Sequence, residues 1–166
     1  MGYTRKISFI ALISSLYAML TIIPGYLSFG PIQFRVSDML IPLSAIYGYP
    51  ACIAVTIGCI VANAYYFVGW IDVIAGPIAN LISSILIYHM RKHLLIATII
   101  SSFIIGFTVG SYLWLFFPPQ DLGISLHPSI LIGLSVSASS LITVSGLGYI
   151  LVKSISKILP ENLKRL

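Results

Sequence analysis

Arg35 and Asp38 place a guanidinium and a carboxylate three residues apart, with the hydroxyl of Ser37 beside them. A guanidinium donates hydrogen bonds in a planar fork and a carboxylate accepts them, so this pair has the chemistry to hold one small polar ligand. The alternative is a surface ion pair or a contact with lipid headgroups, because arginines are common where a helix leaves a membrane. These three residues form the first candidate binding group.

Two further groups of polar residues recur at the spacing of a helix face. The first is Thr56, Cys59, Asn63 and Tyr66, and the second is Asp72, Gly76, Asn80 and Ser84. Each group shares one face of its helix, and polar side chains among apolar neighbours must face protein or water. Hydrogen bonding between helices explains Asn80 and Ser84 as well as a ligand does. For Asn63 and Asp72 we favour ligand binding, because polar and ionisable groups at depth are costly.

Sequence motifs for local catalysis are absent from the chain. It contains no phosphate loop ending in Gly-Lys-Ser/Thr, no His-Glu-x-x-His and no Gly-x-Ser-x-Gly. His89 and His93 have the four-residue spacing of metal ligands, but Arg91 and Lys92 lie between them and would repel a cation. We therefore predict that the protein is not an enzyme and holds no metal or cofactor.

The overall composition indicates a membrane protein. Of the 166 residues, 58% are apolar and 8% are charged, and the mean hydropathy is +1.05. Such a chain cannot form a water-soluble surface. Its net charge of +5 comes from short basic clusters at the ends of apolar runs, a position that suits lipid headgroups and not nucleic acid. We predict a multi-pass protein of the cell membrane in contact with the lipid bilayer.

Six apolar runs, bounded by Pro, Gly or charged residues, are the candidate membrane spans. A helix needs about 20 residues to cross the hydrocarbon core. The second run is short and contains Pro42, so it crosses only if the bilayer thins or neighbouring helices pack around it. The predicted spans cover approximately residues 7–27, 36–49, 51–68, 72–90, 94–117 and 129–152.

Basic clusters set the orientation of these spans. Arg5 and Lys6 precede the first span, residues 91–93 follow the fourth, and four lysines and arginines follow the last. Cytoplasmic ends carry the excess of Lys and Arg, so both termini are predicted to be cytoplasmic, which requires an even number of crossings. The predicted fold is all-α, a single domain of residues 1–166 that forms a compact bundle of six transmembrane helices. Its outer loops are then residues 28–38, 69–72 and 118–127.

Three stretches of the chain resemble one protein family. They are Ile-Gln-Phe-Arg-Val-Ser-Asp-Met-Leu at residues 32–40, Gly-Cys-Ile-Val-Ala-Asn at 58–63 and Asp-Val-Ile-Ala-Gly at 72–76. Together they are similar to the queuosine-precursor transporter family, QueT. Its members look like S components of energy-coupling-factor (ECF) transporters, which are six-helix membrane proteins that capture ligand on the outer side. The resemblance implies a 7-deazaguanine-type base as ligand, and as partners an ECF coupling transmembrane subunit and two ATPase subunits.

The resemblance also implies roles for individual residues. The positions that match the family are Arg35, Ser37, Asn63, Asp72 and Gly76. Asp38 stands where the family usually has Glu, which shortens the reach of the carboxylate, and Pro77 and Asn80 stand where small or hydroxyl residues are usual. In S components the first helix carries small residues that meet the coupling subunit. The counterparts here are Ala11, Ser15 and Ala18.

The combined prediction is a substrate-binding subunit of an ECF-type importer. Its ligand site near the outer surface is predicted to contain Arg35, Ser37, Asp38, Asn63, Tyr66, Trp70 and Asp72. Tyr66 or Trp70 would offer a stacking face to a heteroaromatic base. Two alternatives stay open: an S component for another vitamin or small heteroaromatic compound, and a non-transporting membrane scaffold whose polar stripes are only packing surfaces.

Overall fold

The computed structural model describes residues 3–30, 32–117 and 127–158, and the regular structure in these ranges is helical. The all-α prediction is confirmed for these residues. The α-helices in chain order are α1 (Tyr3–Ile22), α2 (Tyr26–Phe29), α3 (Ser44–Tyr47), α4 (Tyr49–Tyr65), α5 (Trp70–His89), α6 (Leu94–Leu113), α7 (Pro128–Ser140) and α8 (Tyr149–Ile158). The chain also forms 3-10 segments at Val36–Leu43 and Arg91–His93 and a π-helical segment at Leu141–Gly148.

The apolar helical stretches differ in length. Those long and apolar enough to cross a membrane are Tyr3–Ile22, Trp70–His89, Arg91–Leu113 and Pro128–Ile158. Two others, Val36–Tyr47 and Tyr49–Tyr65, are shorter. A 3-10 helix rises about 2 Å per residue and an α-helix about 1.5 Å, so Val36–Tyr47 reaches roughly 22 Å, less than the ~30 Å hydrocarbon core. Six crossings and cytoplasmic termini therefore stay predictions, and residues 118–126 of the third predicted outer loop lie outside the described residues.

The stretch Val36–Tyr47 carries part of the candidate site, and two residues explain its shape. Pro42 has no backbone N–H to donate to an α-helical ladder, which suits the tighter 3-10 winding up to Leu43. Gly48 has a φ of 64°, a left-handed conformation that glycine adopts without strain, and it turns the chain into α4. Asp38 is buried in the first turn of the 3-10 segment as a result.

Small residues let the longer helices approach closely. A Cβ atom on Gly58 of α4 would lie 2.7 Å from the backbone oxygen of Ser14 in α1. The Ser14 hydroxyl donates a hydrogen bond to the backbone oxygen of Ala54, 2.9 Å away. Similarly, a Cβ atom on Gly110 of α6 would collide with the backbone of Gly133 in α7. These seams hold α1 against α4 and α6 against α7.

Candidate functional site

Among the described residues, three charged side chains are buried inside the bundle. Arg35 lies in the loop before the first 3-10 segment, Asp38 lies within that segment, and Asp72 lies in the first turn of α5. Their exposed fractions are 4%, 3% and 0%, respectively. Burying a charge is costly unless other groups compensate it, so the contacts of each residue indicate what keeps it there.

The guanidinium of Arg35 is held on several sides. Its Nη2 lies 3.8 Å from Asp72 Oδ1, and its Nε donates to the backbone oxygen of Ser28 at 3.2 Å. Nη1 contacts Cys59 Sγ at 3.7 Å, and the group lies over the ring of Phe29, 5.3 Å from the ring centre. These contacts fix the orientation of the donor fork. Nη2 has no hydrogen-bond partner among the described residues.

Asp72 faces Arg35 from the beginning of α5, where the helix dipole also favours a carboxylate. The hydroxyl of Tyr112 in α6 donates to Asp72 Oδ1 at 2.7 Å. The side-chain amide of Asn63, near the end of α4, donates to the backbone oxygen of Asp72 at 2.8 Å. One carboxylate oxygen is thus engaged, whereas Oδ2 has no hydrogen-bond partner in the described part of the chain.

Asp38 and Ser37 are held from α1. Tyr17 donates its hydroxyl hydrogen to Asp38 Oδ1 at 2.5 Å, and the Tyr17 oxygen accepts a hydrogen bond from Asn80 Nδ2 at 2.7 Å. Ser37 is within 2.7 Å of the hydroxyl of Thr21, which donates to it. A chain of hydrogen bonds therefore connects α1, the 3-10 segment and α5.

Several buried polar atoms have no hydrogen-bond partner among the described residues. They include Arg35 Nη2, Asp72 Oδ2, Asn63 Oδ1 and Gln33 Nε2. The first and last are donors and the other two are acceptors. A buried polar atom left unpaired costs about 1 to 3 kcal/mol, and native proteins keep few of them. The atoms of Arg35, Asp72 and Asn63 together are complementary to a small molecule that carries both donors and acceptors.

Gly76 marks the point where three of these side chains converge. A Cβ atom at this position would lie 2.8 Å from Asn63 Nδ2 and 3.8 Å from both Arg35 Nη1 and Asp72 Oδ1. Because glycine has no side chain, the amide, the guanidinium and the carboxylate can meet over the backbone of α5. The site is therefore built against the backbone of α5, which the absence of a side chain at Gly76 leaves accessible to these three groups.

The predicted polar residues are all buried, and they form two separate groups. They are Arg35, Ser37, Asp38, Asn63 and Asp72. The side chains of Arg35, Asn63 and Asp72 meet around Gly76. Ser37 and Asp38 are instead bound by hydroxyl groups of α1. The predicted polar set thus forms one group that faces Gly76 and one that is anchored to the first helix.

The two predicted stacking residues have different surroundings. Tyr66 stacks on Phe29, with ring centres 4.7 Å apart, and the Arg35 guanidinium lies over the same Phe29 ring. Trp70 is 73% exposed and packs edge-on against Phe67, with ring centres 5.1 Å apart. The structure therefore does not bring Trp70 into the buried cluster.

Tyr17 and Tyr112 belong to the cluster although the sequence patterns do not single them out. The two tyrosines lie in apolar runs, and the available signal is only that a buried tyrosine needs a partner for its hydroxyl. Gln33 is buried and has a φ of 45°, a conformation that is rare for residues other than glycine. Such backbone strain is common at functional sites.

The arrangement of donors and acceptors suits the binding of a small molecule. Within residues 3–30, 32–117 and 127–158, no three His, Cys, Asp or Glu side chains are grouped to hold a metal ion. Tyr112 and Arg35 fix the Asp72 carboxylate, and Phe29 fixes the guanidinium. Donors and acceptors held in fixed directions recognise the polar edge of a planar molecule.

Comparison with known proteins identifies relatives that are transporters. A queuosine precursor transporter, QueT of Lactococcus lactis subsp. cremoris (strain MG1363), is 46% identical to this chain over 81 residues. That alignment covers 48% of this chain and 47% of the relative, so the match spans about half the length of that protein. No solved structure matches the chain.

The family match is more extensive. The model of the QueT transporter family matches residues 7–157, which is most of the 166-residue chain. The names of the family and of the Lactococcus protein describe transporters and not enzymes, in agreement with the predicted class. The resemblance found in the three short stretches is confirmed: this chain belongs to the QueT transporter family.

Proposed function

We propose that this chain is a membrane-embedded subunit that captures a queuosine-precursor-like 7-deazaguanine base from outside the cell for import. The observation that carries the proposal is that Arg35, Asn63 and Asp72, which converge at Gly76, each have one buried donor or acceptor atom without a partner among the described residues. The family match and the name of the Lactococcus relative support a transport role and this class of ligand.

The site has the groups that a guanine-like edge requires, since such an edge offers N–H donors and a carbonyl acceptor. Asp72 Oδ2 and Asn63 Oδ1 accept the N–H groups of the base in this proposal, and Arg35 Nη2 donates to its carbonyl. The contacts from Tyr112 and Arg35 hold the Asp72 carboxylate in position before the ligand arrives. A preorganised site of this kind loses less entropy on binding.

Two alternatives remain for the ligand and the role, and ligand-induced thermal stabilisation separates them. A compound present at 100 times its Kd stabilises the folded protein by about 2.7 kcal/mol. We expect a rise in Tm with 7-deazaguanine bases. A rise only with another vitamin or heteroaromatic compound would assign a different substrate to the subunit. The absence of any rise would favour a non-transporting scaffold.

The surface of the helices supports insertion into the membrane. Large apolar side chains are exposed along them, such as Leu12 at 68%, Ile74 at 59% and Phe107 at 51%. An apolar surface of this extent suits contact with lipid tails. We propose six crossings of the cell membrane with both termini in the cytoplasm, in which Val36–Tyr47 and Tyr49–Tyr65 cross with local thinning of the bilayer.

Cysteine labelling tests this topology. We expect a cysteine at Ile32, an exposed position in the first outer loop, to react with an impermeant maleimide in intact cells. A cysteine at Lys92 should react only after permeabilisation. The natural Cys52 and Cys59 are buried, so the background is low. Labelling of Lys92→Cys in intact cells would contradict the proposed orientation.

The resemblance to ECF transporters supports a coupling transmembrane subunit and two ATPase subunits as partners. The proposed contact is a groove of about 500 Å³ between α1 and α4, where Ala11 and Ser15 are flanked by Ile53 and Ile57. Ala11 and Ser15 are exposed, whereas Ala18, the third small residue of this face, is 7% exposed. Small side chains allow another helix to approach closely.

Enlarging these small residues is expected to block the partner but not the ligand. In Ala11→Leu/Ser15→Leu, both substituents fill the groove, so co-purification with the coupling subunit and uptake should be lost while base binding stays within about twofold of the parent. The control Leu12→Phe/Met19→Phe enlarges exposed α1 residues that do not line the groove. Loss of base binding with retained partner association would assign the groove to internal packing.

A further inference from the structure

A basic pocket lies beside the turn between α5 and α6. Its volume is about 550 Å³, and its charged lining comes from Arg91, Lys92 and His93 of the turn and from Lys153 of α8. The orientation of the spans explains why these residues lie on one side of the membrane. The orientation does not require that residues of the α5–α6 turn and of α8 line the same pocket.

The positive charges of this pocket have no acidic partner among the described residues. Those residues contain two acids, Asp38 and Asp72, and both are buried in the ligand site. Asp72 pairs there with Arg35, and Tyr17 engages Asp38. Like charges repel one another, so a group that enters the basic pocket most favourably is an anion.

Aromatic rings hold two of the cations in place. The Arg91 guanidinium lies 5.3 Å from the ring centre of Tyr88, and the Lys153 ammonium lies 5.6 Å from that of Tyr149. An ammonium or guanidinium over an aromatic ring is attracted to its face. The pocket therefore presents a partly ordered set of donors and not only a diffuse positive surface.

Apolar surface continues from the charged part of the pocket. Leu95 and Ile96, in the first turn of α6, also line it and are 48% and 53% exposed. A small soluble anion makes no use of this surface. A phospholipid joins a phosphate to acyl chains, and basic pockets between membrane helices on the cytoplasmic side bind such headgroups.

We propose that this pocket binds the headgroup of an anionic phospholipid. The phosphate contacts Arg91, Lys92 and Lys153, and the acyl chains run along Leu95 and Ile96. A lipid bound in this way connects α8 to the α5–α6 turn. The proposal rests on the membrane placement proposed above and is independent of the base around Gly76.

Native mass spectrometry of the purified full chain tests the proposal, with phosphatidylglycerol or phosphatidylcholine added to the detergent. We expect one phosphatidylglycerol to stay bound under conditions that remove phosphatidylcholine. Lys92→Gln/Lys153→Gln should weaken phosphatidylglycerol binding about 25-fold, since each basic residue near a lipid surface contributes about fivefold. The control Arg5→Gln/Lys6→Gln removes the same charge from the same proposed side, outside the pocket, and should bind like the parent.

The charge-conserving pair Lys92→Arg/Lys153→Arg separates loss of charge from misfolding and should retain the lipid. The proposal would be overturned if Lys92→Gln/Lys153→Gln retained phosphatidylglycerol as well as the parent does. It would also be overturned if this pair and the control Arg5→Gln/Lys6→Gln lost the lipid equally. Displacement of the lipid by inorganic phosphate at low millimolar concentration would assign the pocket to a free phosphate and overturn the lipid. None of these measurements uses the base or uptake, so a negative result here leaves the proposed function standing.

Discussion

Asp72→Asn is expected to weaken binding of the base by roughly ten- to a hundredfold. The substitution exchanges a carboxylate for an amide, so a ligand N–H that would meet the unpartnered Oδ2 meets another donor instead. It also removes the charge that compensates the buried Arg35, so the free energy of unfolding should fall by about 3 to 5 kcal/mol. Calorimetric titration and thermal unfolding of the purified variant measure the two effects separately.

Matched variants show whether the loss comes from the ligand contact. Tyr112→Phe removes only the hydrogen bond to Asp72 Oδ1, so it should weaken binding severalfold at most. His89→Gln changes an exposed residue at the other end of α5 and should bind like the parent. If Asp72→Asn and Asp38→Asn both bind the base with unchanged affinity, neither carboxylate belongs to the site.

Gly76→Ala is expected to have the second large effect, a loss of at least about tenfold in affinity for the base. Its Cβ would lie 2.8 Å from Asn63 Nδ2, so the amide must move and give up its 2.8 Å hydrogen bond to the Asp72 backbone. Overpacking of this kind costs about 1 to 3 kcal/mol. Calorimetric titration measures the affinity, and thermal unfolding shows whether the variant is folded.

Gly146→Ala is the matched control for this change. The nearest atom to a Cβ at Gly146 is the backbone oxygen of Leu141 at 3.7 Å, which is an ordinary contact. This variant should bind the base like the parent. If Gly76→Ala is folded and also binds like the parent, the convergence of side chains at Gly76 does not form the ligand site.

Helical spacing predicted which faces of the helices are buried. The residues of the second polar stripe, Asp72, Gly76, Asn80 and Ser84, are all buried, as are Cys59 and Asn63 of the first. Periodicity depends only on local helix geometry, so the chain reveals it directly. It does not show how far a face continues, since Tyr66 at the end of the first stripe is 40% exposed.

The pairing of the charges was not predictable in the same way. Arg35 and Asp38 are close in sequence, which predicts that they act together, yet Arg35 forms its ion pair with Asp72, and Asp38 is bound by Tyr17. These contacts depend on how α1, α5 and the 3-10 segment pack in three dimensions. Local spacing does not encode that arrangement. For the same reason the sequence does not identify Tyr112 as a partner of Asp72, because that contact depends on how α6 packs against α5.

Calorimetric titration of the detergent-purified parent chain with a 7-deazaguanine base, guanine, riboflavin and thiamine tests the proposed substrate most directly. We predict saturable binding of one 7-deazaguanine base per chain, with weaker binding of guanine and none of the two vitamins. Binding of riboflavin or thiamine without binding of any 7-deazaguanine base would contradict the proposed substrate, and no binding of any compound would contradict a ligand site at Gly76.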